Sequence, residues 1–300
     1  MGKDCKKLKF HEEAHNEPIQ DRNEEITAIP SALGDQLLVV FGQWLQCRRK
    51  QHDDALFKQP LPSENCLKCS LPLPSLDTGS MYKECCGNDI CCGCIHAAHM
   101  NDPTQSQKCP VCQKPLSTTN IEYKRRMMDL VTVNNAKTIH YLGCDFYHGH
   151  HGVSQNQNKA LELWHQAGAL GYTESYYSIG CAYYHGSARI RKDLVKAKYY
   201  WTKAAIAGDA EAMYELGSLE KERETGDPRR ALKHFMIAIS AGCSYSLNEV
   251  RDYYHDGHVT EADYDEARQR REEYLSSIRS EARDLAASYG EENGVDYSYY

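Results

Sequence analysis

The chain repeats itself, and this periodicity limits its folds more than any other feature of the sequence. Glycine recurs at Gly143, Gly180 and Gly217, with 37 residues between neighbours. The same spacing separates further landmarks, namely Ala160 and Ala197, Trp164 and Trp201, and Gly171 and Gly208. One later unit is three residues shorter, with Phe235 34 residues after Trp201. A period of this length indicates stacked units that bury their apolar faces against one another.

Each unit is predicted to be a pair of helices. Ala197, Trp201 and Ala204 recur at i, i+4 and i+7, which places them on one helix face. Gly208 and its equivalents lie where a helix must stop, because glycine accepts the left-handed backbone of a C-terminal cap. Asp227 followed by proline has the pattern of a helix N-cap and first helical residue. The repeating unit is therefore two helices joined by a short connection.

The Leu-Gly and Ile-Gly pairs that end at Gly143, Gly180 and Gly217, together with the Ala-x-x-x-Trp segments, resemble Sel-one-like repeats, relatives of the tetratricopeptide repeat. The resemblance covers about half of the chain and implies a solenoid that acts through protein contacts. A fourth unit is looser, with Val250 for the leucine and Arg271 for the aromatic residue, and we expect it to cap the stack. The tyrosines of these helices are expected to pack between repeats rather than to form a peptide-binding surface.

Cysteines define a second region. Nine of the 14 cysteines lie between residues 66 and 112, and eight of them form pairs: Cys66 and Cys69, Cys85 and Cys86, Cys91 and Cys94, and Cys109 and Cys112. A two-residue spacer lets two thiolates of one turn bind the same Zn²⁺, and four such ligands complete a structural site. Outside secreted proteins this clustering indicates metal ligation rather than disulfides. The region is predicted to bind two zinc ions.

The order and spacing of these pairs, with Cys-Pro-Val-Cys last, resemble a RING finger over residues 66–112. The resemblance implies a cross-brace in which Cys66, Cys69, Cys91 and Cys94 hold one zinc ion, and Cys85, Cys86, Cys109 and Cys112 hold the other. Asn88 stands where most RING fingers have a histidine, so the segment is closer to an all-cysteine variant. His96, His99 or Cys92 remain alternatives to one of the two adjacent cysteines.

A RING domain acts in ubiquitin transfer by docking a conjugating enzyme, and needs no catalytic residue of its own. By resemblance, Leu67, Ile95 and Pro110 would contact that enzyme while the repeats hold the substrate. Two positions depart from active family members, because Lys68 replaces an apolar residue and Gln113 replaces a cation. Two functions therefore remain open: a RING-type ubiquitin ligase, and a non-catalytic scaffold that uses the zinc module and repeats for protein binding.

The composition favours protein partners. The net charge of -7 and pI near 6.1 provide no excess of cations to neutralise a nucleic acid backbone. The first thirty residues lack the apolar segment of a secretory signal, and the longest apolar run, residues 37–41, is far shorter than the roughly twenty residues that cross a bilayer. We expect an intracellular, soluble protein of the cytoplasm or nucleus, without nucleic acid or membrane partners.

Together these features predict a mainly α fold, an α-solenoid of helix-pair repeats preceded by a small α+β two-zinc RING-like domain. The expected division is a polar, flexible region at 1–62 with one short helix ending near Arg48, the zinc finger at 63–118, a linking helix or half-repeat at 119–134, repeats at 135–171, 172–208, 209–242 and 243–280, and a helix end with an acidic tail at 281–300.

Overall fold

The computed structural model describes residues 31–58, 64–75, 79–101, 107–222, 226–295 and 297, with residues 31–43 described by their backbone alone. The chain divides into two units, Met1–Lys58 and Gln59–Tyr300.

The described part of the first unit is helix α1, Ser31–Leu56. This helix does not end near Arg48, as the sequence predicted, but continues to Leu56. A basic run favours a helix C-terminus without enforcing it, because only glycine or proline interrupts the backbone, and the next proline is Pro60.

The described part of the second unit is mainly helical, which confirms the predicted fold class. It contains a single two-stranded sheet, formed by β1 and β2. Its elements in chain order are β1 Ser80–Lys83, β2 Asn88–Cys91, α2 Cys92–Asn101, α3 Asn120–Thr132, α4 Ala136–His148, α5 Gln157–Ala169, α6 Glu174–His185, α7 Leu194–Ile206, α8 Ala210–Glu222, α9 Pro228–Ser240, α10 Ser244–His255, α11 Glu261–Ile278 and α12 Glu281–Asn293.

Helices α4 to α11 form four successive pairs, which we call the repeat array. Within each of the first three pairs an aromatic ring of the second helix lies directly on the repeated glycine of the first. A Cβ atom added at Gly143 would lie 2.7 Å from the ring of Trp164, and one added at Gly217 would lie 2.6 Å from the ring of Phe235. The glycine landmark of the sequence is therefore the point where an aromatic ring of the second helix packs directly on the first helix, with no room for a side chain.

The predicted helix ends are confirmed. Gly171, Gly208 and Gly242 have φ values of 99°, 99° and 108°, so each provides the left-handed residue that terminates the second helix of its pair. Asp227 caps α9 by accepting a hydrogen bond from the backbone N–H of Arg229, 2.9 Å away, and Pro228 follows at the first helical position. The repeat boundaries thus follow from local capping chemistry.

The fourth pair replaces the glycine–aromatic contact with a different one. Arg271 stands where the third pair has Phe235, and its guanidinium is buried and donates to the carbonyl of Gly242 at 2.7 Å. Val250 instead packs in a core cluster with Phe235 and Ala267. The sequence of this unit is looser because its packing differs, while the helix pair itself is retained.

Helix α12 is a separate element rather than the end of the preceding helix, which differs from the predicted division. Ser280 caps it by accepting a hydrogen bond from the backbone N–H of Arg283, and Gly294 closes it with a left-handed backbone. Within the described part of the chain, no helix combines the length and apolar character that crossing a membrane requires.

Candidate metal centre

The region from residue 64 to residue 116, here called the cysteine module, places its cysteines by means of a hairpin and two tight turns. Strands β1 and β2 are antiparallel, with Ser80 opposite Cys91 and Lys83 opposite Asn88. Cys91 ends β2, and Cys94 lies in the first turn of α2. Cys85 and Cys86 lie in the turn between the strands, where the positive φ of Gly87, 72°, lets the chain reverse. The hairpin therefore contributes one cysteine pair at each end.

The other two pairs lie in turns of the same geometry. In the first turn the backbone N–H of Ser70 donates to the carbonyl of Cys66 at 2.8 Å, and in the second the N–H of Gln113 donates to the carbonyl of Cys109 at 3.0 Å. Ser70 and Gln113 each follow the second cysteine of the pair, with φ values of 60° and 61°. Both residues thus adopt the left-handed backbone region where the chain leaves the turn, and the two thiols of each pair belong to the same cluster.

The structure groups the eight cysteines into two sets of four. The first cluster is Cys66, Cys69, Cys91 and Cys94, the second cluster is Cys85, Cys86, Cys109 and Cys112, and within each the sulfur atoms lie within 4.8 Å of one another. These are the two sets that the cross-brace implied. All eight cysteines have free thiols.

The spacing of the sulfur atoms tests whether each cluster fits zinc. Four thiolates at about 2.3 Å from a tetrahedral ion lie about 3.8 Å from one another. In the first cluster the sulfurs of Cys69 and Cys91 are 3.7 Å apart. In the second, the sulfur of Cys86 lies 3.9 Å from that of Cys109, and the sulfur of Cys85 lies 3.4 Å from that of Cys112. These three separations are close to that value, so each cluster could hold a metal ion.

Proximity also separates the pKa values of the thiols. Hydrogen bonding by Cys91 lowers the pKa of Cys66, and hydrogen bonding by Cys85 lowers the pKa of Cys86 to about 5. Conversely, hydrogen bonding to Cys66 raises the pKa of Cys94, and hydrogen bonding to Cys86 raises the pKa of Cys85. Each cluster thus favours one thiolate and resists further ionisation, since like charges this close repel. A bound divalent cation would remove that repulsion, so both clusters could hold a metal ion.

The alternative ligands weighed from the sequence lie outside both clusters. The ring of His96 packs against Tyr289 of α12, with 4.9 Å between ring centroids. Burial lowers the pKa of His99 on the same helix, and Cys92 is buried at the start of α2. The amide of Asn88 donates to the carbonyl of Cys86 at 2.8 Å, so it supports the turn that presents this cysteine. In the described residues, each four-sulfur set is complete without these side chains.

The three residues expected to contact a conjugating enzyme do not form a common surface. Leu67 is 58 % exposed, whereas Ile95 is 2 % exposed and packs in the core of the cysteine module. Pro110 is buried. The side-chain amide of Gln113 donates to the carbonyl of Pro110 at 3.2 Å, inside its own turn. Of the three side chains, only that of Leu67 is exposed to a partner. The spacing of the cysteines did not reveal that the side chains of Ile95 and Pro110 point inward.

The cysteine module contacts the first helices of the repeat array. The hydroxyls of Tyr82 on β1 and Thr138 on α4 are 2.7 Å apart, and the rings of Tyr82 and Tyr141 stack with centroids 4.2 Å apart. The ammonium of Lys137 lies 2.7 Å from the carboxylate of Asp89, and both side chains are largely shielded from water. Burial lowers the pKa of Lys137, but the nearby charge of Asp89 outweighs it and the net pKa is raised. This ion pair fixes β2 against α4.

The cysteine module also contacts the last helices of the chain. The backbone N–H of Ser75 donates to the hydroxyl of Tyr274 on α11 at 2.9 Å. Helix α12 packs on α2, where a Cβ added at Gly93 would lie 2.8 Å from the backbone nitrogen of Arg283. Both ends of the repeat array are thus attached to the same small module.

Arg283 is the residue of this centre that the sequence analysis missed. It is 1 % exposed, donates to the carbonyl of Ile278 at 2.6 Å, and brings its other terminal nitrogen within 4.0 Å of the sulfur of Cys69. A guanidinium beside a cluster of thiolates offsets part of their negative charge. No signal in the sequence could identify it, because it lies 214 positions from Cys69.

Comparison with known proteins gives a family match for the first three helix pairs of the repeat array. The Sel1 repeat family matches residues 136–172, 173–209 and 210–243. Among solved structures, a Sel1 repeat protein from Oxalobacter formigenes is 21 % identical over 56 % of this chain and 64 % of its own, with a TM-score of 0.44. A protective antigen of uropathogenic Escherichia coli with an SLR fold is 23 % identical over 58 % of this chain and 37 % of its own, with a TM-score of 0.43. An immunity protein from Pseudomonas aeruginosa is 19 % identical over 65 % of this chain and 66 % of its own, with a TM-score of 0.37.

This chain covers less than two thirds of the length of each of these structures. No curated protein matches it. The family match falls on the first three helix pairs, each of which carries the glycine–aromatic contact, and it stops before the fourth pair, which lacks it. Residues 136–243, about a third of the chain, therefore match the Sel1 repeat family.

Proposed function

We propose that this chain is a zinc-binding protein-interaction scaffold, in which a two-zinc cysteine module holds both ends of a Sel1 repeat array whose surface binds partner proteins. The observation that carries the proposal is the double attachment of the module, through Asp89 and Lys137 at α4 and through Ser75 and Tyr274 at α11. A binding surface gains affinity when its shape is fixed before the partner arrives. Attachment at both ends restricts the movement of one repeat relative to another.

In this proposal Cys66, Cys69, Cys91 and Cys94 hold one zinc ion, and Cys85, Cys86, Cys109 and Cys112 hold the second. The role of zinc is structural, because four thiolates leave no open position for a reacting water molecule. Zinc contributes about 10–16 kcal/mol of apparent binding free energy to small zinc domains. Whole domains are stable by only about 5–15 kcal/mol. Loss of the metal would therefore unfold the module and release both ends of the array.

The first test is native mass spectrometry of the purified protein, for which we expect two zinc ions. Replacing Cys91 by serine should remove the ion of the first cluster, whereas Cys181→Ser in α6, outside both clusters, should leave both ions bound. Hydrogen exchange after chelation should then rise in α4 and α12 as well as in the cysteine module. A protein that binds no zinc would refute the proposal.

A RING-type ubiquitin ligase is the second candidate. It is supported by the interleaved order of the two clusters, in which the first and third cysteine pairs meet and the second and fourth pairs meet. The exposed side chain of Leu67 next to the first cluster also supports it. The burial of Ile95 and Pro110 favours the scaffold, because these side chains cannot dock on a conjugating enzyme without rearrangement.

Self-ubiquitination with a panel of conjugating enzymes separates the two candidates. If the protein is a ligase, Leu67→Ala should abolish activity, whereas Ile121→Ala, which removes an even more exposed apolar side chain from α3, should not. If the whole panel gives no product with a protein that holds two zinc ions, the scaffold is supported.

A further inference from the structure

A cleft lined by cations lies beside the second Sel1 repeat. It has a volume of about 620 Å³ and is formed by α5, the end of α6 and the connection to α7. We call it the basic cleft; its lining includes Leu161, Tyr183, Arg189, Arg191, Lys192 and Lys196. The four cationic side chains are exposed. The cleft is within the usual size range of sites that enclose small ligands or short peptide segments.

The charge of this region contrasts with that of the rest of the protein. Residues 186–203 contain six lysines and arginines and a single acidic residue, Asp193, although the whole chain has a net charge of -7. Asp193 is the N-cap of α7 and accepts a hydrogen bond from the backbone N–H of Lys196, at 3.0 Å. The Asp193 carboxylate also lies 3.9 Å from the ammonium of Lys196, so it offsets one of the four cations that line the cleft and leaves a net positive charge there.

Arg189 and Arg191 differ in their surroundings from half of the other fourteen arginines of the sequence. Seven others lie within 3.5 Å of a carboxylate: Arg125, Arg126, Arg229, Arg251, Arg268, Arg270 and Arg279. Within the described part of the chain, the guanidinium groups of Arg189 and Arg191 have no such neighbour. A guanidinium presents a planar set of donors that matches a carboxylate. Two of these sets are open to solvent at one site.

The first repeat shows that the fold does not require these cations. The buried anchor of the connection is Ile190 in the second repeat and Val153 in the first, both apolar. The N-cap is Asp193 in the second and Asn156 in the first. Three of the four lining cations, Arg189, Arg191 and Lys192, have neutral residues 37 positions earlier, namely Gly152, Ser154 and Gln155, whereas Lys196 corresponds to a lysine there too, Lys159. The anchor is apolar and the N-cap accepts a hydrogen bond in both repeats, whereas three exposed positions are neutral in the first repeat and positive in the second.

The connection that carries the two arginines is held in one conformation. The N–H of Ser187 donates to the carbonyl of Ile190 at 2.7 Å, the N–H of Ile190 donates to the Ser187 hydroxyl at 3.0 Å, and that hydroxyl donates to Gln157 of α5 at 2.6 Å. On the opposite wall, the ammonium of Lys196 lies 5.1 Å from the ring centre of Tyr183. Charged groups arranged in advance lose less freedom when a ligand binds.

We propose that the basic cleft binds an acidic segment of a partner protein, rich in aspartate and glutamate. The inference rests on the proposed scaffold function and specifies the chemistry of one partner. Carboxylates of the segment would pair with Arg189 and Arg191, and its aliphatic stems would pack on Leu161 and Tyr183. A peptide suits the site better than a nucleic acid, because a longer polyanion would extend beyond the cleft onto a surface of net negative charge.

Fluorescence anisotropy of the full chain tests this with three labelled probes: a glutamate peptide of about ten residues, a glycine–serine peptide of the same length, and a thymidine oligonucleotide. The glutamate peptide should bind, and added salt should weaken it. The double variant Arg189→Glu, Arg191→Glu should lose about tenfold or more in affinity, since both pairs become repulsive. The control Arg251→Glu, Arg268→Glu changes the net charge equally on α10 and α11, and should leave affinity within about twofold.

Equal weakening by both double variants would overturn the proposal, because bulk charge alone would then explain binding. Tighter binding of the oligonucleotide, or no binding of the glutamate peptide to a protein that holds two zinc ions and unfolds cooperatively, would also overturn it. Zinc content and thermal unfolding are measured on each preparation. Absence of zinc contradicts the scaffold function, whereas lost binding with zinc retained contradicts only the acidic partner.

Discussion

Replacing Gly180 by alanine tests the physical basis of the repeat. Gly180 lies on α6 directly under the indole of Trp201, which is fully buried. A Cβ added there would lie 2.5 Å from the indole nitrogen and 3.0 Å from Cγ. Ordinary contacts between carbon atoms are about 3.5–4.0 Å. The ring or the helix would have to move by roughly an ångström to accept one methyl group.

The expected cost follows from two opposing terms. Overfilling a packed core costs about 1–3 kcal/mol, and a rigid indole without free space places this case in the upper part of that range. Alanine in place of a mid-helix glycine gains about 1 kcal/mol of helix propensity. We therefore expect Gly180→Ala to lower the free energy of unfolding by about 1–2 kcal/mol. For a chain of this size each kcal/mol lowers the melting temperature by about 2–4 °C.

Urea and thermal unfolding followed by circular dichroism measure this change, and a double-mutant cycle with Trp201→Leu assigns it. The smaller leucine leaves room for the methyl group, so Gly180→Ala should cost less in that background. The reasoning is refuted if Gly180→Ala is as stable as the original protein. It is also refuted if the substitution costs the same in both backgrounds.

Three further outcomes are expected. Burial lowers the pKa of His140 from 6.5 to about 3, with a smaller contribution from the charge of Lys137, so the folded protein holds this histidine neutral. Its contribution to the free energy of unfolding is therefore complete above about pH 6.5 and is lost by about 1.4 kcal/mol per pH unit as the pH decreases toward 3. In urea titrations across that window, His140→Asn should give a shallower dependence, and an unchanged slope would contradict this. Asp227→Ala should lower the free energy of unfolding by about 1 kcal/mol through loss of the α9 cap; an unchanged urea midpoint would count against the cap. Gly242→Ala should lower the melting temperature more than Gly171→Ala. Both glycines have a left-handed backbone, but only a methyl group at residue 242 would collide with Tyr274. Equal shifts in melting temperature would argue against the contact of α11 with the cysteine module.

The features that could be predicted from the sequence depend on residues close together in the chain, and most of them recur in several repeats. Each glycine–aromatic contact joins residues about twenty positions apart, such as Gly180 and Trp201, and three repetitions in register expose it. Caps such as Asp227 depend on one or two neighbouring residues. The grouping of the cysteines was also expected, because the resemblance to a RING finger implies a cross-brace that joins the first pair with the third and the second with the fourth.

The attachment of the cysteine module to the end of the chain could not be predicted. Arg283 and Arg271 are buried although charged side chains are usually exposed, and each is held by contacts with distant or non-equivalent segments. Ile95 packs against Ile90, Leu73 and the cysteines of its own module, and this inward orientation was not visible in the spacing of the cysteines. Contacts that occur once, between segments far apart, leave no periodic trace.

The two attachments of the cysteine module have a consequence for how this chain can change in length. Repeat proteins with free ends tolerate gain or loss of whole units, because each unit contacts only its neighbours. Here a unit inserted between α5 and α10 would displace α11 from α4 by the full width of a helix pair, and Ser75 could then no longer reach Tyr274 while Asp89 stays on Lys137. The distance that the cysteine module spans between α4 and α11 therefore limits how many repeats can lie between these two helices.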